Sequence, residues 1–489
     1  MTEITNETIK QIQDLYANLV NSLKNDSPIK KFIEFLINVL ESLFMENQLV
    51  KLELQQCKDE IAKLKGEKGK PNIKPSKKVK AKDIDDDPLE SQNSGKVWHK
   101  GSKKDKIEID REEVVRIDKS TLPADAQFKG YEDKIIQDIV IKTDNVLYKC
   151  EKYYSPSLGK TYTAELPVGL QNTDFGPNIK ALIVSLYFEY RIPENKIAAF
   201  LNDFGIIISD GTLSDILIQE EADVVTQEKN DIFAAGLDST TYQQIDDTGM
   251  RVAGQNCYAT IVCNPFYSAY FINPRKNRET VKNILNNGGE SPVFPILVGD
   301  EAGQFDEVTK LRGLCWVHEF RHYRKIRAIF IQNINTLNEF KQEIREYYEK
   351  LKQYKLNPSA EAKAKLSDEF DALFSTITGY DILDERIALT ITKKAELLLV
   401  LDHPEIPLHN NLSETGLREL VLKRKISFGT RTKEGTTAWE NYMTISATCK
   451  KLGIKFFYYL KDIFTREMKQ PRLANLIKLE AQKLQKLQA

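Results

Sequence analysis

Tyr242-Gln243-Gln244-Ile245-Asp246-Asp247-Thr248-Gly249 is a strand-like run that ends on two acids. The next segments have the same character. Cys257–Cys263 and Tyr267–Ile272 are rich in β-branched and aromatic residues and predict two more strands. Asn277–Leu285 predicts a helix, Phe294–Gly299 a fourth strand ending at Asp300, and Leu314–His318 a fifth strand. Far downstream, Leu408-His409-Asn410-Asn411-Leu412-Ser413-Glu414 is a polar turn opening a helix, and that helix continues into Arg418 and Lys423-Arg424-Lys425.

Three consecutive strands, a helix and another strand match the opening of an RNase H-like fold. In that order Asp246 and Asp300 share one sheet edge, and Glu414 is the third acid, brought by a later helix. Three carboxylates on rigid elements suit Mg²⁺ or Mn²⁺, since Mg²⁺ takes a few carboxylates and keeps other positions for water or substrate. Two such ions about 4 Å apart serve the attacking and leaving oxygens of a phosphodiester. With 71 acidic residues in the chain, residue type alone does not select this triad over separate surface acids.

Composition narrows the class. The chain has 489 residues, 29% charged and 41% hydrophobic, which predicts several soluble domains. No apolar run is long enough to span a bilayer, and Met1-Thr2-Glu3 begins no secretory signal, so the expectation is a cytoplasmic protein without a membrane partner. Six scattered cysteines without a CxxC pair argue against a disulfide framework. The net charge of −1 does not by itself predict nucleic-acid binding, so that reading rests on local charge.

The expected architecture is multidomain α+β. Residues 1–66 read as helical. Ile9, Ile12, Tyr16, Leu19 and Leu23 form a first amphipathic segment. After Pro28, Ile33, Leu40, Asn47, Leu54 and Ile61 fill one heptad row, and Leu36, Leu43, Val50, Cys57 and Leu64 fill the other. This predicts a coiled coil, in which a single buried Asn fixes register and favours two strands; an intramolecular hairpin with the first segment is the competing reading. Residues 67–112 form a Lys-rich linker that is disordered by composition, since nine Lys against one Glu fall from Lys63 to Lys82. Residues 113–168 read as a small β module. Residues 169–232 are helical, and a turn at Gly205 between two helices gives them a helix-turn-helix-like, DNA-binding look, although Asp210, Asp215, Glu220 and Glu221 make the second helix acidic. The core then spans 233–318 and 401–465, separated by a helical insertion at 319–400, and residues 466–489 form a last helix. Cys315, His318 and His322 have zinc-ligand spacing but lack a fourth ligand.

These segments resemble the transposases of the insertion sequence 66 (IS66) family, which have an RNase H-like DDE catalytic domain. Asp246-Asp247-Thr248-Gly249 with Arg251-Val252 is similar to the family's DETGWRV. Gly313-Leu314-Cys315-Trp316-Val317-His318 resembles its GCWAHARR, and His403–Arg418 its HPxxPLDNNxAExxLR. Lys423–Gly429 resembles a shortened GRKNWLFxG. The resemblance implies a DNA transposase that cuts element ends and transfers the 3′-OH to target DNA. Asp246, Asp300 and Glu414 would be its DDE triad holding two Mg²⁺ or Mn²⁺, with Asp247 and His318 in support. Arg418, Lys423, Arg424 and Lys425 would grip the DNA backbone. It also implies a homodimer, double-stranded DNA as partner and a place on the nucleoid. The chain departs from the family in keeping one cysteine, Cys150, where a zinc ribbon has two pairs, which argues against structural zinc. His409 and Met250 replace the family's Asp and Trp. A DNA-binding descendant without catalysis, a structural coiled-coil protein with a relict core, and an RNase H-like nuclease are the alternatives.

Overall fold

The computed structural model describes residues 15, 28–64, 107–118, 121–123, 126–171, 173–467 and 469–488. The first amphipathic segment, Leu15 apart, and residues 67–106 of the linker lie outside the described residues. The fold is mixed α+β, and no described helix is long and apolar enough to cross a membrane. The chain separates into Lys51–Lys142 and the remainder.

A five-stranded sheet organises the larger unit. Its strands are β3 (Tyr242–Val252), β4 (Gln255–Cys263), β5 (Ser268–Asn273), β6 (Ile296–Gly299) and β7 (Leu311–Leu314), after a separate hairpin of β1 (Lys152–Ser155) and β2 (Lys160–Thr163). The order is β5-β4-β3-β6-β7. β3, β4 and β5 are antiparallel neighbours, whereas β3–β6 and β6–β7 are parallel. Ala253 and Gly254, both at positive φ, turn β3 into β4 in two residues, the geometry a tight hairpin needs. β6 follows helix α6 (Arg278–Asn286) as a crossover, and Ile296, Leu297 and Val298 are all buried, as parallel strands covered on both faces should be.

Two sequence expectations change here. The fifth strand is Leu311–Leu314, not Leu314–His318, because helix α7 (Trp316–Lys325) begins at Trp316. The β module of 113–168 reduces to the β1–β2 hairpin. Val115 and Val140 are 92% and 88% exposed. Alternation predicts a strand only where a partner row and a surface to cover are available, and these runs have neither among the described residues.

Helices flank the sheet and build the insertion. In chain order they are α2 (Pro177–Phe188), α3 (Glu194–Asp203), α4 (Asp210–Ile218), α5 (Ala222–Leu237), the insertion helices α8 (Ile331–Leu356), α9 (Ala360–Phe374), α10 (Asp381–Ile391) and α11 (Lys394–Leu397), then α12 (Asn411–Ser427), α13 (Lys433–Lys451), α14 (Phe456–Thr465) and α15 (Leu473–Gln488). The exposed hydrogen-bonding edge of β5 is closed by α13. The N–H groups of Ser268, Tyr270 and Ile272 donate to Thr448 Oγ1 at 3.4 Å, Thr444 Oγ1 at 3.1 Å and Glu440 Oε1 at 2.6 Å. Two strand residues and four helical residues advance by nearly the same distance, roughly 6–7 Å, so one helix face can serve alternate strand amides. An open edge would otherwise be a template for aggregation.

The insertion has its own aromatic core. Trp316 packs against Tyr347, Tyr348 and Phe370, and its Nε1 donates to Leu397 O at 3.0 Å. Helix α1 is Pro28–Leu64, and Ile33, Ile37, Asn38 and Glu41 in its first half meet the insertion. Asn38 Nδ2 donates to Gly379 O at 2.9 Å, and the fully buried Glu41 accepts from Asn333 Nδ2 at 2.5 Å and from Ile329 N. Of the heptad rows, Ile33 packs beside Ile37 and Phe330, whereas Leu40, Leu43, Leu54 and Ile61 remain 45–56% exposed.

Close approach at Gly236 on α5 fixes how that helix meets the sheet. A Cβ there would lie 2.5 Å from the ring of Tyr267, which is fully buried and donates its hydroxyl to Gln243 Oε1 at 2.9 Å. We expect Gly236→Ala to destabilise the protein by about 1–3 kcal/mol through overpacking, despite its better helix propensity. Urea denaturation checks this, and an unchanged midpoint would refute the packing argument.

Candidate active site

Asp246 is the fifth residue of β3, and Asp300 immediately follows β6. The parallel register pairs Gln244 with Val298. Continuing it by two residues sets Asp246 opposite Asp300 at the same end of the sheet. Their surroundings hold them in place. Asp246 Oδ1 accepts from Asp247 N at 2.8 Å, Asp300 Oδ1 accepts from Ala302 N at 3.1 Å, and Arg312 Nη2 donates to Asp300 O at 2.6 Å.

Glu414 lies in the first turn of α12. The start of that helix is stitched to both strands. Asn410 is fully buried; its Nδ2 donates to Ile245 O at 2.7 Å and its backbone N–H to Cys315 Sγ at 3.2 Å. Trp316 N donates to Leu408 O at 2.9 Å, and Cys315 N to Gly299 O at 3.0 Å. Gly416 lets the helix settle on β4, since a Cβ there would meet Ile261 Cδ1 at 2.3 Å. At the far end Gly429, at φ +117°, presses against Arg251 O, where a Cβ would fall 2.2 Å away.

The three acids feel one another. Burial above all, with the charges of Asp300, Glu414 and Asp247 and against the Asp247 N–H bond, raises Asp246 from 3.8 to about 7. Pooled negative charge of this kind is relieved by a cation, and among the described residues the ligand-type atoms that converge on Glu414 are those of Cys315 and His318. Asp247 is already engaged, by Lys276 at 3.4 Å and by Gln304.

His318 lies on α7 with Nε2 3.5 Å from Glu414. Burial holds it below its usual value, opposed by the pull of Glu414. Arg321, one turn on, donates from Nη1 and Nη2 to Glu414 Oε1 and Oε2 at 3.0 and 2.8 Å. Reading the sequence missed Arg321 and Asn410 as site residues. The spacing of His318 and Arg321 on one helix face was the available signal for the first; the role of Asn410 depends on a contact across 165 residues.

The zinc spacing does not converge. Cys315 and His318 group with Glu414, whereas His322 groups with Glu301 and Glu319. That second cluster is an ion-pair network: Lys393 lies 2.5 Å from Glu301 and 3.6 Å from Glu319, and Arg386 also pairs with Glu319. Burial pushes the Cys315 thiol up to about 11, which suits its packing role.

The basic cluster on α12 divides. Arg418 and Lys425 are exposed, and Arg424 Nη1 lies 3.5 Å from Thr248 Oγ1. Lys423 is a correction to the sequence reading. It is 2% exposed, donates to Tyr187 O at 2.7 Å and sits among Tyr187, Phe188 and Trp439. Burial lowers it to about 7. A phosphate cannot reach it in this packing.

The sequence model of a family described as Transposase IS66 family matches residues 172–438, a span that holds all three acids, Arg321 and the basic end of α12. The chain belongs to the IS66 transposase family. A relative named "Uncharacterized protein y4jO", from Sinorhizobium fredii, is 38% identical over 167 residues. That match covers 34% of this chain and 51% of the relative, so this IS66 family member spans about half the length of that protein.

The Asp246 shift has a signed consequence. Between pH 3.8 and about 7 the folded protein binds more protons at Asp246 than the unfolded chain does, so stability falls as pH rises through that window. In EDTA, Asp246→Asn is expected to gain on the parent between pH 5 and pH 8, by on the order of a few kcal/mol at most. Thermal melts at the two pH values measure it. An equal difference at both would show that Asp246 is not raised by its burial and its neighbours.

Proposed function

We propose that this IS66 family member is a DDE transposase that cleaves the ends of an insertion sequence and joins the exposed 3′-OH to target DNA. The observation that supports the reading is geometric: the β3–β6 register sets Asp246 opposite Asp300, and the Asn410 bond to Ile245 O brings the start of the Glu414 helix to the same end of the sheet. The sheet order, with three antiparallel strands followed by two parallel ones, is what an RNase H-like core requires. Asp246, Asp300 and Glu414 would hold two Mg²⁺ or Mn²⁺ ions. When bound, such ions activate the attacking oxygen and stabilise the leaving one. The chain's own residues supply the rest: Asn410 and Cys315 fix Glu414 against both strands, and His318 shields it.

Double-stranded DNA would lie along the exposed side of α12, with Arg418, Arg424 and Lys425 on its phosphates. Such contacts hold DNA without reading its sequence. Helix α4 leaves Asp210 and Asp215 exposed, which disfavours phosphate, so we assign the helix-turn-helix-like pair a packing role.

A second reading, a transposase-derived DNA-binding protein without catalysis, is favoured by one observation: the guanidinium of Arg321 on Glu414 supplies a positive charge at the third acid. Strand cleavage and joining on an element-end duplex with Mg²⁺ or Mn²⁺ separates the two. We expect products from the parent protein and a loss of about a hundredfold or more in Asp300→Asn and Glu414→Gln, as for removal of a principal electrostatic group. Equal DNA binding without products in all three proteins would establish the second reading.

Two copies would pair through α1. Its Ile37, Asn38 and Glu41 face is buried on the insertion, whereas the heptad face, with Leu36, Leu40, Leu43 and Leu54 41–56% exposed, is the apolar seam of a coiled coil. Leu43→Lys with Leu54→Lys is expected to convert a dimer to a monomer in light scattering while leaving helicity intact. An unchanged mass would remove the coiled coil from the proposal.

A further inference from the structure

Arg321 is the charged group at this site that the triad leaves without a task. Its fork occupies both oxygens of Glu414, at 3.0 and 2.8 Å, and Nη1 also lies 3.0 Å from His318 Nε2. The Arg321 side chain is 41% exposed, whereas that of Glu414 is 17% exposed. The arginine therefore has an open path away from its partner, and the glutamate does not.

This arrangement sets up a competition. A divalent cation gathered by Asp246, Asp300 and Glu414 meets a fixed positive charge on one of its three ligands. Two cations on one carboxylate repel strongly where the surroundings are partly buried. The fork that matches a carboxylate matches a phosphate equally well, and a phosphodiester is the group that arrives with the metal in the proposed reaction. His318 does not replace Arg321 here, because burial disfavours its charged form.

We propose that Arg321 is an exchange residue: it holds Glu414 in the metal-free protein, competes with the divalent ion for that carboxylate, and on displacement turns its fork to the scissile phosphate. The inference rests on the triad reading. It makes metal loading weak without DNA and stronger with it, since the phosphate gives the displaced guanidinium a new partner. No bond is made or broken by Arg321 itself.

The test is Mn²⁺ binding to the full chain, followed by electron paramagnetic resonance without DNA, beside nicking of an element-end duplex. The proteins are the parent, Arg321→Met, Arg321→Lys and Glu414→Gln, each first checked for a cooperative melt in EDTA. Arg321→Met is expected to bind Mn²⁺ about tenfold more tightly and to nick at least about tenfold more slowly, the scale of one charge-assisted fork. Arg321→Lys keeps the charge without the fork and is expected to fall between, and it carries the comparison if Arg321→Met does not fold. Unchanged or weaker Mn²⁺ binding in the folded Arg321 variants overturns the exchange, because an arginine that merely orients Glu414 would weaken binding when removed. Tighter Mn²⁺ with parental nicking overturns the phosphate contact. Parental Mn²⁺ affinity in Glu414→Gln, or no Mn²⁺ binding by either the parent or the folded Arg321→Met, overturns the triad reading and this inference with it.

Discussion

A buried amide at Asn410 joins the parts of this protein that chemistry needs together. Its side chain donates to Ile245 O and its backbone to Cys315 Sγ. One residue thereby ties the strand of Asp246, the segment after β7 and the helix of Glu414. A buried donor left unpaired costs about 1–3 kcal/mol, so this register is specified as well as permitted. Both donors of Asn410 are paired, and they bring the elements that bear the acids to one end of the sheet.

The same economy recurs at the sheet edge. Glu440, Thr444 and Thr448 are spaced by one helical turn and meet amides spaced by two strand residues. The helix closes the β5 edge with side chains where another strand would otherwise add. β3 is thus kept central, with its hairpin on one side and the parallel pair on the other. The insertion is fastened to the opposite side through Trp316 and the Glu301–Lys393–Glu319 network. Asp300 precedes Glu301 directly, so the loop bearing the second acid is anchored by the insertion as well as by β6.

Charge is partitioned by burial more than by residue type. Arg418 and Lys425 face water, while Lys423, on the same helix, fills an aromatic cage. Arg321 lies between these extremes, half-buried and committed to Glu414. Such positions decide which cations are available to a polyanion and which are parts of the core.

The amino acids read alone were enough for the family and for the order of strands and helices through the core. Those features live in period-two and period-3.6 patterns and in short motifs, which are local. Only the folded chain shows that Lys423 is buried, that residues 113–150 form no sheet among the described residues, and that His322 leaves Cys315 for Glu301. Folding also brought Arg321 onto Glu414, across 93 residues. The physical reason is the same in each case. A side chain's burial and partner depend on segments far away in the chain, and no local pattern encodes which distant carbonyl, ring or carboxylate will arrive.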